Sequence, residues 1–224
     1  MELPLLTLLG FGFVVGLKHA FEADHVAAVS TIVSHTRSIK LSSVFGAIWG
    51  LGHTTTLLLA GILLLAFRIA IPEKLALSFE FLVGIVLVLL GVDVLRKILR
   101  DKIHVHSHSH GDVAHAHFHS HASSNLHHHA HRSFAVGMIH GLAGSAALML
   151  LVLATVSSVA EGIAYILVFG LGSVAGMMLM GGILSIPFAL SSKFERVDRA
   201  VRMLSGSASI LVGLLLMYNI WLLF

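Results

Sequence analysis

The chain has 224 residues, of which 57% are hydrophobic and 11% charged, with a net charge of +3. A soluble domain cannot hide that much apolar side chain, so an integral membrane protein is expected, with no polar stretch long enough to build a separate soluble core. Cysteine is absent, which excludes disulfides, thiolate metal sites and thiol redox chemistry.

Apolar runs long enough to cross a bilayer predict six spans, at 4–33, 41–67, 75–95, 134–157, 162–189 and 204–224. The N-terminus carries Glu2 and no basic region, so no cleaved signal peptide is expected. The first span is long enough to be tilted, bent or broken. It contains the stretch KHAFEADH at 18–25, five ionisable side chains between apolar flanks. A charge near the bilayer centre costs about 2.5–3.5 kcal/mol on insertion scales, so Lys18, Glu22 and Asp24 need compensation. A metal ion, a proton or mutual pairing would supply it. On an unbroken helix His19, Glu22 and His25 share one face, within an arc of about 120°, and Asp24 falls outside it. An unwound turn would bring all four together. Imidazole plus carboxylate, without thiolate, suits Ni, Co, Zn or Fe(II). Asp24 would otherwise orient a ligating histidine through its far nitrogen. The plain alternative is a polar cluster at a helix end, with Lys18 and Glu22 paired at i,i+4.

The second span contains WGLGHTTTLLLAG at 49–61. Its Gly50 and Gly52 permit close helix approach. His53 is a candidate ligand there, with the hydroxyls of Thr54, Thr55 and Thr56 as further oxygen donors; the alternative is a histidine bonding across helices. In the third span Glu80 is a candidate proton relay, and Asp93, close to Arg96 and Lys97, is expected in an ordinary ion pair. His35, in a short loop, reads as surface.

The connection at 96–133 is long, and its tract at 104–131 carries twelve of the seventeen histidines: His104, His106, His108, His110, His115, His117, His119, His121, His127, His128, His129 and His131. Such a tract cannot form a hydrophobic core and is expected to be disordered when empty. Its imidazoles, largely neutral near pH 7, would hold divalent transition metal weakly and at many points. The fourth span contains HGLAGSAAL at 140–148, with His140 as a further candidate ligand. Pro187 is expected to end or kink the fifth span.

With the N-terminus outside, the inner loops hold eleven Lys and Arg and the outer loops two, Arg68 and Lys74. By the positive-inside rule both termini face out and the His-rich loop is cytoplasmic. The two halves also echo each other. VGLKHAFEADH (15–25) aligns with VGMIHGLAGSA (136–146), and WGLGHTTTLLLAG (49–61) with FGLGSVAGMMLMG (169–181). His19 then lies opposite His140 and His53 opposite Ser173, at offsets of 121 and 120 residues. Three spans per half invert the second copy relative to the first, the architecture of alternating-access transporters. The expected fold is therefore an all-α polytopic membrane protein of two inverted three-helix repeats, at 1–95 and 134–224, joined by the loop at 96–133.

HAFEADH (19–25) resembles the HxxxxDH signature of the nickel/cobalt transporter superfamily, and LGHTT (51–55) its second motif. HGLAGSAAL (140–148) is similar to the shorter exporter-like and UreH-like, urease-accessory members. The resemblance implies transport of Ni(II) or Co(II), with His19, Asp24, His25 and His53 required. Many members have Asp where this chain has Glu22, which changes the reach of that carboxylate.

The expected function is secondary transport of a divalent transition-metal ion, Ni(II) or Co(II) foremost, in the cell membrane, with proton coupling as a candidate drive. The His-rich cytoplasmic loop slightly favours efflux. The metal is cargo, and no prosthetic group, nucleic acid or enzymatic activity is expected. A homo-oligomer and a cytoplasmic metallochaperone are candidate partners. The rival readings are a membrane-embedded metal-dependent enzyme and a membrane nickel reservoir that delivers metal to a maturing enzyme.

Overall fold

The computed structural model describes residues 5–67, 69, 71–101, 109–110, 113–114, 126–156 and 158–223. Among these, seven helices carry the fold: α1 (Leu5–His19), α2 (Ala23–Val33), α3 (Ile39–Phe67), α4 (Glu73–Asp101), α5 (Leu126–Thr155), α6 (Val159–Ser191) and α7 (Glu195–Trp221). Between α4 and α5, Ser109–His110 pairs antiparallel with Val113–Ala114 in a two-residue ladder.

Four helices, α3, α4, α6 and α7, are each long and apolar enough to cross a membrane, and α1 with α2 makes a fifth such unit, bent by 58°. The polarity of the bundle suits lipid. Leu89, Leu171, Leu190 and Leu204 are exposed, while His25, His53, His140, Ser173 and Ser209 are buried. Large apolar side chains on the outside, with polar groups enclosed among the buried apolar ones, suit a bundle that meets lipid.

The long first span breaks at its ionisable stretch. Past His19 the backbone tightens, with Phe21 N–H donating to Lys18 O and Glu22 N–H to His19 O. Glu22 is extended, at φ −66° and ψ 152°, and α2 starts at Ala23. An acidic residue in a first turn favours a helix N-terminus, and Asp24 occupies that turn. Because the helix is broken, Glu22 turns back to His19, its Oε1 lying 3.1 Å from His19 Nδ1. The alternative Lys18–Glu22 pair is not formed among the described residues.

α3 packs between α5 and α6, α1 lies on α6, α4 pairs with α7, and α2 touches α4, α6 and α7. Glycines set the close approaches. A Cβ on Gly16 would strike the carbonyl oxygen of Phe169, and one on Gly137 that of Trp49. A Cβ on Gly52 would strike the carbonyl of Phe134, and one on Gly172 that of Phe13. Between α4 and α7, Gly84 faces the Gly213 carbonyl and Gly206 the Gly91 carbonyl. Hydroxyls tie the same interfaces: Ser173 Oγ donates to Gly16 O at 3.2 Å and Ser209 Oγ to Leu87 O at 2.8 Å. Such contacts hold helices together where lipid is as apolar as the side chains.

Several element ends differ from the sequence expectation. α4 runs to Asp101, α5 begins at Leu126 and α7 at Glu195, each beyond its apolar window. At the start of α7, i,i+4 pairs join Arg199 to Glu195 and Arg202 to Asp198. Helix hydrogen bonding continues past the bilayer wherever the polar face can pair. The connection at 96–133 is shortened at both ends, by α4 and by α5, and within the tract at 104–131, expected to be disordered, His127, His128, His129 and His131 belong to α5. His110 lies in the short ladder, and His104, His106, His108, His115, His117, His119 and His121 lie outside the described residues. Pro187 does not end α6, which continues to Ser191. There it costs the backbone bond that a residue with an N–H would give to Ile183 O.

Candidate metal site

The break between α1 and α2 places four histidines around one point. His19 closes α1, His25 lies in the first turn of α2, His53 sits midway along α3 and His140 midway along α5. Ring centroids are 4.5 Å apart for His19–His25, 5.2 Å for His19–His53, 5.3 Å for His25–His53 and 5.4 Å for His25–His140. His19, His25 and His53 each offer a ring nitrogen, all within 4.8 Å of one another. Glu22, Asp24 and His25 form a second such group. His140 is adjacent but outside both groups.

The hydrogen bonds select which nitrogens face the centre. Asp24 Oδ1 lies 2.8 Å from His25 Nδ1, so Nδ1–H donates to the carboxylate and Nε2 keeps its lone pair. His140 Nδ1 lies 3.3 Å from Val136 O and donates there in the same way. His25 Nε2, His140 Nε2 and both ring nitrogens of His53 are buried without a hydrogen-bond partner. Buried polar atoms are nearly always satisfied. Several orphaned imidazole nitrogens converging on one place fit a divalent cation as their missing partner. Three nitrogens on one ion at about 2.0–2.1 Å would sit about 3.3 Å apart, so the group has to close slightly around it.

Trp49 packs beside the cluster, its ring 5.4 Å from His25 and 5.1 Å from His140. Phe169 lies 5.5 Å from His19. Gly144 of α5 leaves the space beside the cluster open: a Cβ there would lie 3.7 Å from His19 Nε2 and from His53 Cε1. Nothing in the sequence marks Gly144 apart from other small residues of membrane helices.

The threonines after His53 do not extend the group. Thr54 Oγ1 donates to Gly170 O at 3.2 Å, Thr55 Oγ1 to Leu51 O at 2.7 Å and Thr56 Oγ1 to Gly52 O at 3.3 Å. Thr55 and Thr56 bond one turn back within α3, as helical hydroxyls do, and Thr54 bonds across to α6.

A cavity of about 710 Å³ reaches the cluster. Lys18, His19, Glu22, Asp24, His25 and His140 line it, as do Glu80 of α4 and Asn219 of α7. Glu80 lies near the start of α4 and Asn219 near the end of α7, so the cavity reaches that end of the bundle.

At the opposite end is a second polar group. Asp93 of α4 accepts from Lys97 Nζ at 3.0 Å and from Arg132 of α5 at 2.8 Å, the ion pair expected for it. His35 is half-buried rather than fully at the surface: its Nε2 is buried without a partner, and it lines a pocket of about 10 Å³ with Thr31, Asp93, Arg132 and Ser133. Burial foremost, then the Lys97 and Arg202 cations, hold His35 down to about 3, while Asp93 pulls the other way. The loop after α2 tucks inward, which a short polar connection does not announce in sequence.

Comparison with known proteins agrees with a membrane architecture. Residues 26–218 match the family described as the cytochrome C biogenesis protein transmembrane region. That match begins just after the HAFEADH stretch. The chain is 40% identical to the urease accessory protein UreH of Bacillus sp. (strain TB-90) over 98% of its own length and 94% of that protein. It is 26% identical to the chloroplast protein FOR GROWTH AND FERTILITY 1 of Arabidopsis thaliana over 91% of its length, covering 56% of that protein. No solved structure matches. With near end-to-end similarity to UreH, the chain belongs to the UreH-like urease-accessory membrane proteins, within the cytochrome c biogenesis transmembrane-region family.

Proposed function

We propose that this protein carries a divalent transition-metal ion, nickel foremost and cobalt second, across the cell membrane by alternating access. The carrying observation is the set of converging imidazole nitrogens of His19, His25 and His53, within 4.8 Å of one another at the break of a membrane helix. A broken helix with a polar site amid apolar helices is the usual place for a coupling or substrate ion. Asp24 orients His25, Glu22 orients His19, and His140 stands ready to take over a coordination position as the site changes shape. Metal release goes with protonation of these ligands. Glu22 and Glu80, on the wall of the cavity, are the groups we assign to that proton.

The glycine contacts support two inverted three-helix repeats. Gly16 against Phe169 and Gly137 against Trp49 become the same contact when the halves exchange, as do Gly52 against Phe134 and Gly172 against Phe13. We assign α1/α2, α3 and α4 to one repeat and α5, α6 and α7 to the other, with α5 as the sixth membrane span. Rocking of one set on the other would present the site to each side in turn.

Direction follows from three supports taken together. The Lys and Arg distribution puts the termini and the cavity mouth outside. The ion pairs of Asp93 then lie on the cytoplasmic side, on the two helices that the His-rich segment connects in sequence. The relative's name concerns urease, so an inward supply of nickel suits kinship better than the efflux suggested by the loop alone. In this reading the His-rich segment receives and buffers incoming metal.

Sided flux in sealed proteoliposomes tests this. Nickel should accumulate inside vesicles in which the His-rich segment faces the lumen, His25→Ala should abolish it, and deletion of 104–125 should leave it. Absence of flux, with nickel held stoichiometrically, would make the protein a reservoir; metal-dependent turnover of a substrate would make it an enzyme.

A further inference from the structure

The cavity that reaches the histidine cluster is larger than a metal ion needs. An ion with six waters needs about 60–90 Å³ at about 10–15 Å³ per water, against about 710 Å³ here. That volume lies in the range of pockets for small organic ligands. Its wall is also wrong for a hydrated cation alone. Val83, Phe169, Val212 and Leu216 give it an apolar side, which offers water nothing.

Lys18 is the second observation. It lines the same cavity, one residue from His19, and has no acidic partner among the described residues. Glu22, the carboxylate at i,i+4, lies against His19 instead. An unpaired ammonium in the vestibule of a cation repels the cargo. It becomes useful when the cargo arrives with a carboxylate attached.

Resting on the metal-transport reading above, we propose that the cavity receives the metal as a complex with a small carboxylate chelator. Lys18 takes the carboxylate, the carbon skeleton lies on the apolar wall, and His19, His25 and His53 replace the waters on the metal. Charge narrows the class. Lys18 lines this cavity together with Glu22, Asp24 and Glu80, so its carboxyl groups outnumber its single ammonium. It accommodates a complex that is neutral or singly positive, as one divalent metal makes with a dicarboxylate or an amino acid. A tricarboxylate complex is negative overall and is refused.

The test uses the full chain in nanodiscs, with radiolabelled nickel and radiolabelled malate or citrate in equilibrium dialysis. Malate should be retained with nickel at about one per metal and not without it, and citrate should not be retained. Lys18→Gln should lower the malate held per nickel at least about tenfold, and Lys18→Arg should restore most of it. Nickel retained free of malate overturns the proposal, as does malate retention that is indifferent to Lys18. Nickel retained in no form overturns the metal-site reading itself, a separate outcome.

Discussion

Asp24 and His25 are adjacent in sequence, yet the carboxylate of one holds the ring of the other, Oδ1 to Nδ1 at 2.8 Å. The bond fixes the tautomer, so that Nε2, buried and unpartnered, is the nitrogen offered to His19 and His53. Removing such an orienting carboxylate typically costs 10–100-fold in metal affinity. Asp24→Ala should therefore weaken nickel binding by about that factor while the protein still extracts and elutes as the wild type does. Asp24→Asn keeps an acceptor oxygen and should lose less. Titration calorimetry on the two variants gives the comparison, and equal affinities in wild type and Asp24→Ala would remove Asp24 from the site.

Gly144 supplies a steric test. A methyl there would lie at ordinary contact distance, 3.7 Å, from His19 Nε2 and His53 Cε1. Gly144→Ala should fold and melt like the wild type but bind metal more weakly, because the methyl stands where the ion or its remaining ligand belongs. Gly144→Leu should block binding and flux. Unimpaired binding in Gly144→Leu would mean that the metal sits on the other side of the histidines.

His35 predicts an acid sensitivity of the fold. Its folded value, about 3, is far below the ordinary 6.5. Folded protein keeps this imidazole neutral through that window, whereas the unfolded chain takes up a proton below about 6.5. The unfolded state then binds more protons, so this contribution is complete above pH 6.5 and is lost as pH falls toward 3. His35→Gln cannot take up the proton. Its melting temperature in detergent should fall less than that of the wild type between pH 7 and 4.5, by roughly 5 °C. Parallel melting curves would show that His35 is not held neutral.

The sequence made the chemistry legible where it violated the local solvent. Five ionisable groups amid apolar residues force a break and a cluster, and the break falls at 20–22, between His19 and Ala23. Which carboxylate serves which imidazole was not legible, because both assignments share the same spacing until the helix is known to be broken. The expected donors Thr54, Thr55 and Thr56 bond backbone carbonyls instead, that of Gly170 on α6 for Thr54 and those of their own helix for the other two. His35 and Gly144 were missed because their roles come from neighbours distant in sequence, Asp93 and Arg132 for one, His19 and His53 for the other. Helix ends were misplaced because apolar windows report the bilayer, not the last hydrogen bond.

The ion pairs of Asp93 predict where the path is closed. Arg132 of α5 and Lys97 of α4 share this one carboxylate, above a pocket of about 10 Å³ that holds about one water. Thr31, 3% exposed, lines that pocket beside His35. Since the chain has no cysteine, Thr31→Cys is a clean reporter of access from that side. It should react slowly with a membrane-impermeant thiol reagent in the otherwise native protein. Asp93→Ala leaves Lys97 and Arg132 to repel each other, and should speed the reaction at least about tenfold. Nickel bound at the histidine cluster should change the labelling rate if the site and this closure move together. Labelling that ignores both Asp93 and nickel would place the closure elsewhere, on the Trp49 side of the cluster, where the indole packs between His25 and His140.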